Sequence, residues 1–145
     1  MIMRIKLLSL FNRPFDNQTD FKILLESEAK LKIQEHIRFG LYELVWSYIL
    51  DYENSKNPFR ERREQIGKWK KYANVDIEAQ DSVIQLSKSL NQLGLKNFDA
   101  LHIACAITVK ADYFLTTDKG ILKKSQMVSD IQIKDPIDFI REVWT

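Results

Sequence analysis

The sequence predicts a three-layer α/β/α domain with a mainly parallel central sheet. Short apolar runs typical of buried strands alternate along the chain with amphipathic helical segments. One segment, Ala100 to Val109, is apolar on nearly every side, which is typical of a helix buried in the middle of a protein. With 145 residues, 45% of them hydrophobic, the chain is long enough for a substantial core, and we expect residues 1–145 to form a single domain.

The chain begins with a predicted strand and a long helix. The apolar run Met3 to Phe11 is predicted to be the first strand, because Pro14 ends it too early for a helix. From Thr19 to Ile37, apolar residues recur at helical spacing, and Gly40 provides a stop signal.

A second strand is predicted to lead into a short helix. Glu43 to Ser47 has the pattern of a strand, and the Ser47 hydroxyl can cap the helix that follows. This helix carries Glu53 and must end near Pro58. The segment Arg60 to Tyr72 is rich in charge, so we expect a largely exposed helix there.

The second half of the chain continues the alternation. A helix is predicted from Ile77 to Leu93, stopped at Gly94, and the buried helix follows it. The remaining pattern predicts a strand Tyr113 to Thr116, helical turns Asp118 to Lys124, a strand Ile131 to Ile133 and a last helix Pro136 to Val143. In such a fold, a ligand site is expected at the carboxyl ends of the strands.

The composition limits which charged segments, metal sites and cell compartment we expect. The net charge is only +2, which excludes a polybasic arm or an acidic tail. Cys105 is the only cysteine, so an intramolecular disulfide and a cysteine-rich zinc site are excluded, and two histidines argue against a His-dominated metal site. No apolar segment is long enough for a membrane span or a signal peptide, so we expect a cytoplasmic protein with no membrane partner.

Three acidic residues lie near the predicted strand ends. Asp99 opens the buried helix, Asp118 follows a strand, and Glu53 lies late on the short helix. Carboxylates that converge there would form an oxygen-ligand site for Mg²⁺ or Mn²⁺. Each also has a purely structural interpretation: Asp99 as a helix N-cap, Asp118 as a cap or turn residue, and Glu53 as a solvated helix residue. Spacing alone leaves both interpretations open.

A resemblance to a known family favours the metal site. Its most specific segments are NFDALHIACA (97–106), ADYFLTTDK (111–119) and IKDPIDF (133–139). They closely resemble the C-terminal half of PIN-domain proteins, in which one Asp opens the central Ala-rich helix and another follows the Thr-Thr strand end. Residues 12–16 and 47–58 resemble the VapC-like subgroup, which is related to the toxins of bacterial toxin/antitoxin pairs.

The resemblance implies a Mg²⁺- or Mn²⁺-dependent ribonuclease with a PIN-like fold. Glu53, Asp99 and Asp118 would be its catalytic, metal-binding acids, with Thr116 or Thr117 as a supporting residue. RNA would be the substrate and an antitoxin protein a partner. Exposed apolar residues on the first helices would build a homodimer or receive an antitoxin segment.

One departure from the family opens a second interpretation. PIN proteins usually end strand 1 with an Asp, whereas Ile5 to Phe11 contains no acid, and Asp16 is the nearest replacement. The alternative is a catalytically degenerate PIN fold that binds RNA or an antitoxin without hydrolysis. A third hypothesis, a receiver-like phosphoacceptor domain, is prompted by Asp118-Lys119 after a strand but lacks the expected acidic pair at the end of strand 1.

RNA binding would use cations, because phosphate contacts supply most of the affinity. The candidates are Arg13, Lys56, Arg60, Arg62, Arg63, Lys68, Lys70, Lys71 and Lys119. Trp69 and Tyr72 could stack on bases, but a solvated helix with both rings turned inward is favoured. His102 is interpreted as a packed histidine rather than a metal ligand beside Asp99, and Cys105 as a small core residue.

Overall fold

A computed structural model describes residues 5–9 and 21–144, and these form a parallel sheet covered by helices. The five strands are β1 (Ile5–Ser9), β2 (Tyr42–Ser47), β3 (Ala73–Ile77), β4 (Tyr113–Leu115) and β5 (Gln132–Lys134). They lie in the order β3-β2-β1-β4-β5, and every pairing is parallel. This confirms the predicted sheet.

Seven α-helices connect the strands or follow them in the described part of the chain. They are α1 (Phe21–Arg38), α2 (Tyr48–Ser55), α3 (Arg60–Trp69), α4 (Asp81–Gln92), α5 (Asn97–Thr108), α6 (Lys119–Leu122) and α7 (Pro136–Val143). The connection from β1 to β2 and the connection from β3 to β4 run in opposite directions across the sheet. Because such crossovers are right-handed, α1 lies on one face of the sheet, and α4 and α5 lie on the other. α1 packs against α7, and α5 packs against α4 and α2, which gives the predicted three layers.

The core lies on both faces of the sheet, and α5 contributes more buried residues than α1 or α7. Leu7 and Leu8 on the central strand are fully buried, as are Ala100, Ile103 and Ala104 on α5. Both faces of β1 are covered, which is why its sequence is a continuous apolar run rather than an alternating one. The prediction of a buried α5 is confirmed.

The predicted helices Arg60 to Tyr72 and Ile77 to Leu93 left no strand between them, and the structure places β3 there. The segment Ala73–Ile77 is an edge strand that pairs only with β2, and α4 begins at Asp81 rather than Ile77. Along β3 the exposed Asn74 and Asp76 alternate with more buried neighbours, as expected for an edge strand with one solvated side. Such a short, half-polar strand carries a weak pattern in the sequence.

The predicted helix stops are confirmed by the backbone. Gly40 and Gly94 have φ of +76° and +98°, a conformation that favours glycine, and they follow α1 and α4. None of the helices in the described part combines the length and hydropathy needed to cross a membrane.

The chain order creates a switch point between β1 and β4. From β1 the chain moves to one side of the sheet through β2 and β3, then returns to β4 on the other side. Ser9, the last residue of β1, pairs with Leu115, the last residue of β4. In open parallel sheets, ligands bind in the crevice beyond the carboxyl ends of strands at such a switch point.

Candidate functional site

The chain topology brings the three predicted acids to the carboxyl end of the sheet. Asp118 lies in the segment after β4, and Glu53 lies on α2, which begins directly after β2. Asp99 lies in the first turn of α5, whose far end leads into β4, so this turn lies toward the carboxyl end of that strand. Helices that connect parallel strands run antiparallel to them. Acids that are distant in sequence can therefore lie at the same end of the sheet.

Asp118 is held firmly after β4. Its Oδ1 accepts a hydrogen bond from the Ile121 backbone N–H at 3.0 Å, which makes it the N-cap of α6. The buried Thr116 hydroxyl accepts the Asp118 backbone N–H at 3.1 Å. A Cβ at Gly120 would lie 3.0 Å from Asp118 Oδ1, so a side chain at this position would require the carboxylate to shift by a few tenths of an ångström. The expected capping role is confirmed, and Thr116 fixes the backbone that presents the carboxylate.

Asp99 is not the helix N-cap that the sequence suggested. The N-cap of α5 is Lys96, whose side chain makes no capping bond, and the helix begins at Asn97. Asp99 is the third residue of the helix and is half-buried. The helix dipole still stabilises a carboxylate in the first turn, even when that residue is not the N-cap.

Glu53 has a partner that the sequence analysis did not identify. Its Oε1 lies 2.8 Å from Nε2 of His102, which is only 1% exposed. Glu53 itself is half-buried, so it is not a fully solvated helix residue. The interpretation of His102 as a packed histidine is confirmed, and the contact joins α2 to α5.

The sequence matches the PIN domain family over residues 7–126. The chain belongs to the PIN domain family. It matches no curated protein.

Solved structures share the fold of this PIN domain. One is the crystal structure of VapBC2 from Rickettsia felis bound to a DNA fragment from its promoter. Its TM-score is 0.52 and its sequence identity is 16%, and the match covers 90% of this chain and 98% of that chain. Another is the 2.2 Å structure of VapBC-1 from nontypeable Haemophilus influenzae, with a TM-score of 0.54 and 20% identity over 91% of this chain and 98% of that one.

Membership of the PIN family removes one earlier hypothesis. A receiver-like phosphoacceptor domain would need an acidic pair at the end of β1, and Ile5–Ser9 contains no acid. The Asp118-Lys119 pair that prompted this hypothesis lies at the start of α6, where Asp118 is the N-cap.

PIN domains generally use a divalent metal, and the donors of this PIN domain fit such an ion only in part. Within residues 5–9 and 21–144, no group of three His, Cys, Asp or Glu side chains is arranged to hold a metal. Two further predicted residues, Arg13 and Asp16, lie outside these ranges. Mg²⁺ commonly binds one or two carboxylates and keeps several waters, so Asp99 and Asp118 suit it in number and chemistry. A full protein cage is not formed by the described residues.

Several cations predicted for RNA are engaged within the protein. Lys70 lies 3.0 Å from Asp51 and 3.7 Å from Asp76, and the hydrogen bond that its ammonium group donates to Asp51 raises the pKa of that group. Arg60 pairs with Glu64 at 3.1 Å, and Arg63 donates to the Asn57 carbonyl at 2.7 Å. Glu64 and Asp51 therefore offset the charge of Arg60 and Lys70, whereas the hydrogen bond of Arg63 leaves its charge uncompensated.

The expectation that the aromatic residues near α3 turn inward is confirmed for one of the two rings. Trp69 is half-buried against the core, and the Arg38 guanidinium lies 5.4 Å from its ring centroid. Tyr72 is exposed, although its ring contacts Trp69 at 5.4 Å between centroids. Only Trp69 is therefore turned inward.

A second aromatic pair was missed by the sequence analysis. Tyr52 and Phe98 stack with ring centroids 5.7 Å apart and planes at 23°. Tyr52 directly precedes Glu53 and Phe98 directly precedes Asp99 in the sequence, but neither dipeptide indicates that the two rings meet.

Cys105 is a core residue, as expected. Burial raises the pKa of its thiol to about 12, while a hydrogen bond with Ser47 acts in the opposite direction. A thiol with so high a pKa stays protonated near neutral pH and is a poor nucleophile.

Proposed function

We propose that this PIN domain is the toxin of a bacterial toxin/antitoxin pair and a Mg²⁺-dependent ribonuclease that acts in the cytoplasm. The observation that supports it best is the position of Asp99 and Asp118 at the carboxyl end of the sheet, beside the β1–β4 switch point. Carboxylates at that place suit metal-assisted hydrolysis of a phosphodiester. The proposal takes residues 1–145 as one PIN-like domain.

Glu53, Asp99 and Asp118 would hold the ion, and Mn²⁺ can replace Mg²⁺ in experiments. When bound, such an ion activates water and offsets the charge that develops on the phosphate. Thr116 keeps Asp118 in position, and His102 keeps Glu53 facing the same region. The exposed Lys119, next to Asp118, is suited to a phosphate contact, and we assign Arg13 the same role.

An antitoxin protein is the proposed partner, because both similar structures are VapBC proteins. α1 carries apolar side chains that are exposed in the described part of the chain, and we assign them to the antitoxin or to a homodimer contact. They are Phe21, Leu24, Leu25 and Leu31.

The test is cleavage of labelled single-stranded RNA with Mg²⁺, with and without a chelator. We expect Asp99→Asn and Asp118→Asn to lose at least about a hundredfold in rate, because each removes a charged metal donor. Asp130→Asn is the matched control, since Asp130 is exposed and precedes β5 at the opposite end of the sheet. Cleavage by both Asn variants at the wild-type rate would refute the proposal.

A catalytically degenerate PIN fold that binds RNA or an antitoxin is the second candidate. It is favoured by β1, which ends at Ser9 without an acid, and by the engagement of Glu53 with His102. This candidate predicts RNA or antitoxin binding with no cleavage product at any Mg²⁺ concentration. Metal-dependent cleavage that Asp99→Asn abolishes would eliminate it.

A further inference from the structure

The Tyr52–Phe98 stack is an exposed aromatic surface beside the candidate site. Tyr52 is 49% exposed and Phe98 is 45% exposed, although their rings already contact each other. Large aromatic rings are more often buried, and here two of them lie together at the surface. The pair therefore has contact area available for a ligand.

The position of the pair is set by the same elements that carry the acids. Tyr52 precedes Glu53 on α2, and Phe98 precedes Asp99 on α5. The Glu53–His102 hydrogen bond of 2.8 Å joins these two helices. A ligand on the rings would therefore lie next to the carboxylates.

The surroundings of the rings favour a charged, planar ligand. The Lys56 ammonium lies 5.5 Å from the centroid of the Tyr52 ring. In sequence, Tyr52 stands between Asp51 and Glu53, and Phe98 stands between Asn97 and Asp99. Because sequence neighbours point to different sides of a helix, the cation placed against the rings is Lys56, and a nucleotide offers a flat base for the rings and a phosphate for this cation.

We propose that Tyr52 and Phe98 form a stacking platform for one unpaired base of a single-stranded RNA, with Lys56 contacting an adjacent phosphate. The inference rests on the proposed RNA substrate and adds its form: RNA with an accessible, unstacked base next to the bond to be cut. Duplex RNA keeps its bases stacked within the helix, so it cannot use this platform.

The test is the affinity of fluorescein-labelled single-stranded RNA in the presence of chelator, so that binding is measured without hydrolysis. We expect Phe98→Ala and Phe98→Leu to weaken binding about tenfold, and Phe98→Trp to retain it. Leu keeps an apolar side chain but has no π face, which separates stacking from simple apolar contact. Phe39→Ala is the matched control, because Phe39 is 71% exposed and lies before β2 at the other end of the sheet.

A series of RNAs with one abasic position completes the test. We expect one position at which base removal weakens binding by wild type but causes no further loss in Phe98→Ala. Wild-type affinity in Phe98→Leu would overturn the platform while leaving the ribonuclease proposal intact. A changed oligomeric state in Phe98→Ala with unchanged RNA affinity would also overturn it and identify a protein interface. Absence of RNA binding by the wild type would overturn both proposals.

Discussion

Nε2 of His102 lies 2.8 Å from Oε1 of Glu53, although the two residues are 49 positions apart in the chain. His102 lies on the buried helix α5, and Glu53 lies on α2 after the second strand. The contact fixes the orientation of a carboxylate at the carboxyl end of the sheet. It also gives a buried polar side chain a hydrogen-bond partner, which a packed core requires.

We expect His102→Ala to destabilise the fold by about 2 kcal/mol, because it leaves a cavity and removes the partner of a half-buried carboxylate. Urea unfolding measures this change. Glu53→Gln is the matched variant, since its amide can still hydrogen bond with the imidazole, and we expect a loss below about 1 kcal/mol. Equal stability of His102→Ala and wild type would show that the pair contributes nothing to the fold.

Asp118 is expected to have two separable roles. Asp118→Asn keeps an oxygen that accepts the Ile121 N–H, so its stability should stay near that of wild type while RNA cleavage falls. Asp118→Ala loses the cap as well and should cost about 1 kcal/mol on unfolding. Thermal unfolding and RNA cleavage of both variants check this. Full cleavage activity in Asp118→Asn would contradict the proposed metal role.

The two lysines Lys119 and Lys70 should differ in RNA binding. Lys119 is exposed beside Asp118, whereas Lys70 forms ion pairs with Asp51 and Asp76. We expect Lys119→Ala to reduce the slope of log affinity against log salt by about 0.7, the value for one phosphate contact on single-stranded nucleic acid. Lys70→Ala should leave the slope unchanged. Equal slopes for Lys119→Ala and wild type would exclude that contact.

The Cys105 thiol should make stability depend on alkaline pH. Burial raises its pKa from 9.0 to about 12 in the folded chain. The unfolded chain therefore releases the proton first, and the contribution of Cys105 to stability is full below pH 9 and declines as pH rises toward 12.

Urea unfolding at about pH 8 and about pH 10.5 measures this effect. Cys105→Ala is the reference for all other titrating groups. We expect wild type to lose more stability than Cys105→Ala between the two conditions. Identical losses in the two proteins would show that the thiol ionises equally in the folded and unfolded states.

The sequence was sufficient to predict the fold class because apolar patterning is strong in buried elements. α5 and the central strand β1 are covered on nearly all sides, so their residues are almost continuously apolar. β3 was missed because Asn74 and Asp76 on this edge strand are exposed and interrupt the pattern. Burial, rather than intrinsic propensity, decides how clearly an element is marked in the sequence.

The candidate site was predictable only where a residue carries a local signal. Asp99 and Asp118 stand at a helix start and a strand end, so sequence alone marked them. The Glu53–His102 hydrogen bond and the Tyr52–Phe98 stack join residues from two helices distant in the chain. Such pairs depend on how α2 packs against α5, and no spacing rule along one element contains that information.

Calorimetric titration of Mn²⁺ into wild type, Asp99→Asn and Asp130→Asn at low salt tests the central claim most directly. That claim is that carboxylates at the carboxyl end of the sheet hold a divalent ion without an acid from β1. We expect binding by wild type and Asp130→Asn and its loss in Asp99→Asn. No binding by the wild type, or equal binding by Asp99→Asn, would contradict it.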